Sequence, residues 1–139
     1  MHPQSHSNPR KDDFALTLKP VRESVKLARD LVAVAWDHWG LGDDYVPRLV
    51  ASELVTNSVL ASEKYGVTQD ILFRCHLDGC RPIIEVRDGI SEPAVLIPLS
   101  DRSEGGRGLP LVAELCAQWW MHWEDDNRKV IGAELAVSA

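Results

Sequence analysis

The chain has no apolar run near the 18 residues or more that a membrane span needs. It also has no basic stretch, and its formal net charge is -6. A protein whose main purpose is to hold nucleic acid carries a positive patch against the phosphates, so that class is not expected. The opening residues "MHPQSHSNPRKDD" lack the apolar centre of a signal peptide, which points to a cytoplasmic protein. With 3 cysteines the count is odd and no CxxC pair occurs. Cys75 and Cys80 flank a turn and are close enough in sequence to meet, but reduced structural thiols are the expectation. His38, His76 and His122 share no metal-ligand spacing and are given no chemistry. No internal repeat or linker divides the 139 residues, a length that suits one domain burying about two-thirds of its unfolded surface.

What is present begins with a polar, Pro- and Ser-containing tail over residues 1–13, expected to be disordered, followed by one domain over residues 14–139. "FALTL" alternates, with Phe14, Leu16 and Leu18 on one side, as a strand does. Beyond Pro20, Val25, Ala28, Val32, Ala35 and Trp39 recur at helical spacing, and Gly40 is a natural stop. Trp36 and Trp39 are expected in or beside the core rather than around a ligand. A second helix opens near Asp43 or Asp44, either able to cap it, and runs to about Lys64 ahead of Gly66. "DILFRCHLDGCRPIIEVRD" reads as two strands joined at Asp78-Gly79. A loop over residues 89–107 leads to a helix from about Leu109 to Gln118. "WWMHW" and "KVIGAELAV" form a closing hairpin whose inward set is Ile131, Ala133, Leu135 and Val137. The order β-α-α-β-β-α-β-β implies an α+β fold, helices on one face of a mixed, mainly antiparallel sheet.

Three stretches stand out from this frame. In "VPRLVASELVTNSVLAS", Val46, Leu49, Val50, Leu54, Val55, Val59 and Leu60 leave little of the second helix to face water. Glu53 and Asn57 lie four apart within it, on one face. A buried carboxylate without partners is costly, so this face either lines a polar cleft or is an exposed stripe. A carboxylate can take a proton from a hydroxyl, and an amide oxygen is a hard ligand suited to Mg²⁺. Second, Asp88-Gly89 ends the apolar strand "PIIEVRD". It is either an Asp-Gly turn or a carboxylate facing an exocyclic amine. Third, "SEGGRGLPLVAEL" sets three glycines around Arg107 directly before a helix. That is either a flexible cap or a backbone cradle for phosphate, since first-turn N–H groups have no internal partners.

Together and in this order the three stretches resemble the GHKL ATPase superfamily, and more narrowly the small histidine-kinase-like domains related to anti-sigma factor serine kinases. "SELVTNSV" matches the N-box, "VRDG" the first glycine box and "GGRGLPLV" the second, and the likeness extends over residues 14–137. The resemblance implies a two-layer α/β sandwich of the GHKL (Bergerat) type that binds ATP with Mg²⁺. In it Glu53 would be the general base and Asn57 the Mg²⁺ ligand. Asp88, with Gly89 behind it, would hydrogen-bond the adenine amino group. Gly106, Arg107, Gly108 and Leu109 would lie against the phosphates, with the preceding loop as a lid.

Three positions depart from the family pattern. Ala61 stands where a His or Lys is common, Ile90 where a further glycine is usual, and Val130 where a threonine often approaches the adenine. The implied function is a serine/threonine protein kinase acting on an anti-sigma-factor antagonist. The alternative is a non-catalytic module that sequesters a sigma factor or other regulator. Trp119, Trp120 and Trp123 in "QWWMHW" offer anchors for such a partner or for a homodimer. A separate two-component histidine kinase fragment lacks support, because no dimerisation helix with a phosphoacceptor histidine precedes the region.

Overall fold

The computed structural model describes residues 13–93, 108–124 and 127–137. The elements run β1 (Phe14–Leu18), α1 (Ser24–Trp39), α2 (Tyr45–Tyr65), β2 (Ile71–Asp78), β3 (Arg81–Asp88), α3 (Gly108–Leu115), β4 (Gln118–Trp123) and β5 (Lys129–Glu134). The expected order of elements is therefore observed. The five strands form one sheet in the order β1-β2-β3-β5-β4. Every pairing is antiparallel, a correction to the mixed sheet expected. The physical reason is the connectivity: β2-β3 and β4-β5 are hairpins, the connection through α1 and α2 reverses the chain, and β3 and β4, which run in the same sense, are kept apart by β5.

Strand periodicity decides which face is buried. The register places Leu16 beside Phe73, Phe73 beside Val86, Val86 beside Ile131 and Ile131 beside Met121. This row and its neighbours Cys75, Ile84 and Ala133 join one core with Ala28, Val32, Ala35 and Trp36 of α1 and Val50, Leu54, Val55 and Val59 of α2. Trp36 is in that core as expected, and Trp39 packs at its margin. Most of α2 is buried or half-buried, because α1 and α3 flank it and the sheet lies beneath.

Helix ends follow local chemistry. Gly40 and Gly66 close α1 and α2 with φ of 67° and 68°, conformations that glycine adopts without a Cβ penalty. Asp43 rather than Asp44 supplies the cap contact of α2, accepting a hydrogen bond from the Tyr45 N–H at 2.9 Å, while Asp44 pairs with Arg48. In the β2-β3 hairpin the two-residue turn is Gly79-Cys80, with φ of 66° at Gly79. Two other boundaries differ from expectation. α3 stops at Leu115, and Gln118 opens β4, because the Ala117 N–H is taken by the Glu134 carbonyl at 2.9 Å. β5 ends at Glu134, so Val137 is 46% exposed instead of inward.

The other face of the sheet carries charge. Arg74 bridges Asp13 and Glu85 at 2.9 and 3.1 Å, and His76 lies 3.4 Å from Glu85. Burial alone would raise the Glu85 carboxyl, but His76 and Arg74 outweigh it and hold its pKa below the ordinary 4.5. A carboxyl depressed in the folded state adds stability that is present above its unfolded value and lost as pH falls through the folded one. Glu85→Gln is accordingly expected to melt lower than the wild type at neutral pH and to lose less on acidification below 4.5. Calorimetry across that range checks it; parallel pH profiles for the two proteins would contradict it.

All three cysteines are free thiols, as expected. Burial pushes Cys75 up to about 12 and Cys116 up to about 11, while Cys80 is exposed at the turn. The strand register sends Cys75 into the core, which keeps it from Cys80.

Candidate functional site

The end of β3 meets α2 at Ser58, the residue after Asn57. Asp88 is the last residue of β3 and is 1% exposed. Its carboxylate accepts a hydrogen bond from Ser58 Oγ at 2.5 Å and one from the Ile90 N–H at 3.0 Å. Ser58 is the residue after Asn57 on α2, so a contact spanning 30 positions ties the Asp-Gly stretch to the helix of Glu53 and Asn57. The Ile90 bond is the local turn that an aspartate makes with the backbone two residues on. The turn reading of Asp88-Gly89 is therefore realised, and the carboxylate also faces α2. A carboxylate has about four lone-pair directions, so these two bonds leave acceptor capacity.

Glu53 and Asn57 are half-buried, with Leu54, Val55, Ser58 and Val59 buried around them. They are not an exposed stripe. One turn beyond Ser58, Ser62 is 3% exposed and its Oγ has no hydrogen-bond partner among the described residues. A buried hydroxyl in that condition needs an explanation, and a polar occupant of this face is one.

Lys129 was not singled out in the sequence, and it is the most consequential group that sequence reasoning missed. It stands directly opposite Asp88 in the β3-β5 register and is 1% exposed. Its Nζ lies 4.0 Å from Asp88 Oδ1 and donates to the Glu92 carbonyl at 3.1 Å. Burial lowers the Lys129 pKa, opposed by the charges of Asp88 and Glu92. Val130, the position expected near the adenine, is opposite Arg87 on the other face. The correction follows from the period of two: one step along β5 moves a side chain through the sheet. The signal available in the sequence was a lysine directly ahead of the apolar run at residues 130–133.

The remaining positions are quickly placed. Ile90, where the family pattern has glycine, is 1% exposed and contributes apolar surface; Ala61 is half-buried on α2. A Cβ on Gly89 would lie 2.0 Å from Gln69 Oε1, so the exposed Gln69 amide rests against the backbone here. Gly108 and Leu109 open α3, which packs against α2. Gly106, Arg107 and the lid positions beyond Pro93 lie outside the described residues.

The tryptophans are mostly absorbed by the fold. Trp119 and Trp120 are half-buried and Trp123 is 43% exposed. Trp120 lies flat over Gly132, where a Cβ would come within 2.4 Å of its ring.

Among the described residues no three His, Cys, Asp or Glu side chains are grouped to hold a metal. A single amide oxygen such as that of Asn57 is a donor suited to Mg²⁺, which takes one or two protein ligands and completes its shell with phosphate and water. Among the described residues no helix is long and apolar enough to cross a membrane. No known family model matches the chain, and no curated protein matches it either.

Proposed function

We propose that this chain is an ATP-binding regulatory protein with the GHKL (Bergerat) type of sandwich, acting as an anti-sigma-type serine/threonine kinase. The observation that carries the reading is the Ser58–Asp88 hydrogen bond, which sets the Asp-Gly carboxylate one residue from Asn57. Asp88 keeps acceptor capacity for an adenine amino group. Asn57 would hold Mg²⁺, whose charge offsets that of the phosphates. Gly106, Arg107, Gly108 and Leu109 would receive the phosphates at the start of α3. Glu53 would take the proton of a substrate serine or threonine as its oxygen attacks the terminal phosphorus and ADP leaves. The phosphate acceptor is a small anti-sigma-factor antagonist, and the site would work in the cytoplasm.

A second reading has its own observation. Asp88 is buried and already accepts bonds from Ser58 and Ile90, with Lys129 beside it. That favours a non-catalytic module that sequesters a sigma factor.

Calorimetric titration of the purified protein with ATP and ADP, with and without Mg²⁺, separates the two. Saturable binding strengthened by Mg²⁺ is expected for ATP. No heat of binding at about millimolar nucleotide, a free energy near −4 kcal/mol, would overturn the ATP reading and leave the sequestering module.

A further inference from the structure

Away from Asp88 the molecule holds a concave site that the proposed function does not use. It lies where the start of α2, the end of α3 and the chain leaving β5 come together, and its volume is about 320 Å³. That is the lower end of the range for small-molecule sites, enough for a group the size of a substituted phenyl ring. Trp36, Leu41, Val46 and Leu115 supply apolar walls. Trp36 is 3% exposed, so the cavity reaches down to the core. Val137, released from the sheet beyond the end of β5, also lines it and stays 46% exposed. An occupant would cover that apolar surface.

The charge here has one sign. Asp43 and Glu114 are the charged residues of the lining, and among the described residues no lysine or arginine joins them. Asp43 gives Oδ1 to the Tyr45 N–H at 2.9 Å, which leaves Oδ2. Glu114 is exposed on α3 and has no ion-pair partner among the described residues. Arg48, the nearest cation along α2, is held by Asp44 at 2.9 Å. α3 adds to the negative potential, since Leu115 is its last residue and the final carbonyls of a helix lack internal partners. Uncompensated negative charge beside apolar walls complements a cation with an apolar body. The same charge repels phosphate, and Val46 is about 16 Å from Asn57 along α2. This cavity is therefore separate from the residues assigned to nucleotide, and the inference does not depend on that assignment.

We propose that this cavity binds a small organic ammonium ion, with a ring-sized apolar group against Trp36, Val46 and Leu115 and the positive charge at Asp43 and Glu114. The ammonium shares the two carboxylates, and the apolar group covers the exposed part of Val137. A basic segment of another protein carries related chemistry, but a cavity of this volume admits one side chain and leaves the rest of such a segment outside.

NMR titration of the full chain tests this, read at the methyl signals of Val46, Leu115 and Val137 and at the Trp36 indole. The ligand used is 2-phenylethylammonium, with 3-phenylpropionate and 2-phenylethanol as its anionic and neutral counterparts. Saturable shifts at those four residues are expected, with a Kd of about 0.1–1 mM for the ammonium. The carboxylate is expected to bind at least about tenfold more weakly. Asp43→Asn with Glu114→Gln is expected to weaken the ammonium about tenfold and to leave 2-phenylethanol unchanged. Its melting should match the wild type, because asparagine also caps helices and Glu114 is exposed. The absence of saturable shifts at these residues up to about 10 mM ammonium overturns the proposal. Equal affinity for the ammonium and the carboxylate overturns it too, as does undiminished ammonium binding by the double variant. The capped tripeptide acetyl-Lys-Phe-Lys-amide is expected to bind more weakly than the small ammonium; tighter binding at the same residues would make the occupant a protein segment and overturn the small-molecule assignment.

Discussion

Asp88→Leu is expected to lower the unfolding free energy by about 3–5 kcal/mol, the cost of leaving a buried charge without its partner. Lys129 is 1% exposed and its ammonium lies 4.0 Å from the Asp88 carboxylate. Removing that carboxylate also strands Ser58 Oγ and the Ile90 N–H, both of which donate to it. The paired change Asp88→Leu with Lys129→Met should recover the part of the loss due to the stranded ammonium, because two apolar groups need no mutual compensation, while Ser58 Oγ and the Ile90 N–H stay unpaired.

The pH dependence has a definite sign. Burial depresses the folded-state pKa of Lys129 below the ordinary 10.5, so the unfolded chain binds this proton more readily. Stability from this group therefore rises as pH rises through that window and is lost as pH falls. Deleting Asp88 removes one of the charges that hold the pKa up, and widens the window. Urea unfolding of the three proteins measures both effects. A single variant within about 0.5 kcal/mol of wild type would show that Asp88 and Lys129 are not coupled.

Glu53→Gln should reduce phosphate transfer to the antagonist by about 10²- to 10⁴-fold, the usual contribution of a positioned general base. The amide keeps the side chain's shape and cannot take the proton. The change is isosteric at a half-buried position of α2, so unfolding and nucleotide binding, measured alongside transfer, should remain near wild type. Asn57→Ala, one turn along, should instead abolish the strengthening of ATP binding by Mg²⁺. Transfer kinetics and calorimetry on the same preparations distinguish the two roles. Undiminished transfer by a folded Glu53→Gln variant would remove the base assignment. A wild type that transfers nothing to its genuine partner would favour the sequestering module.

Much of the fold was legible in the sequence because its signals are local. The apolar periods of α1 and α2, the left-handed glycines at 40 and 66, and the hairpin at Gly79 each depend on a few neighbouring residues. The element order and the inward set Phe14, Leu16 and Leu18 follow from them. The boundaries that failed did so where a distant group intervened. α3 was expected to reach Gln118, but the Glu134 carbonyl takes the Ala117 N–H. Val137 was expected to continue the inward set, but β5 ends at Glu134 and the contact with β3 goes only one residue further, from the Leu135 N–H to the Pro82 carbonyl at 3.0 Å.

The site divides in the same way. Glu53 and Asn57 could be placed on one face from their spacing, and Asp88 at a strand end from the apolar run before it. That Asp88 meets this helix could not be read, since the contact is a hydrogen bond to Ser58 across 30 positions. Lys129 and Val130 are adjacent in sequence, and only the β3-β5 register determines which of them meets Asp88. A strand's side chains alternate faces, so the choice between them depends on a one-residue shift that local preference does not control. The sequence by itself determined which segments are helices and strands and which side of each is apolar. The tertiary structure alone decided that the sheet is antiparallel throughout, that Asp88 is buried against Ser58, and that a lysine shares its burial, because pairing register is set by the packing of the whole core.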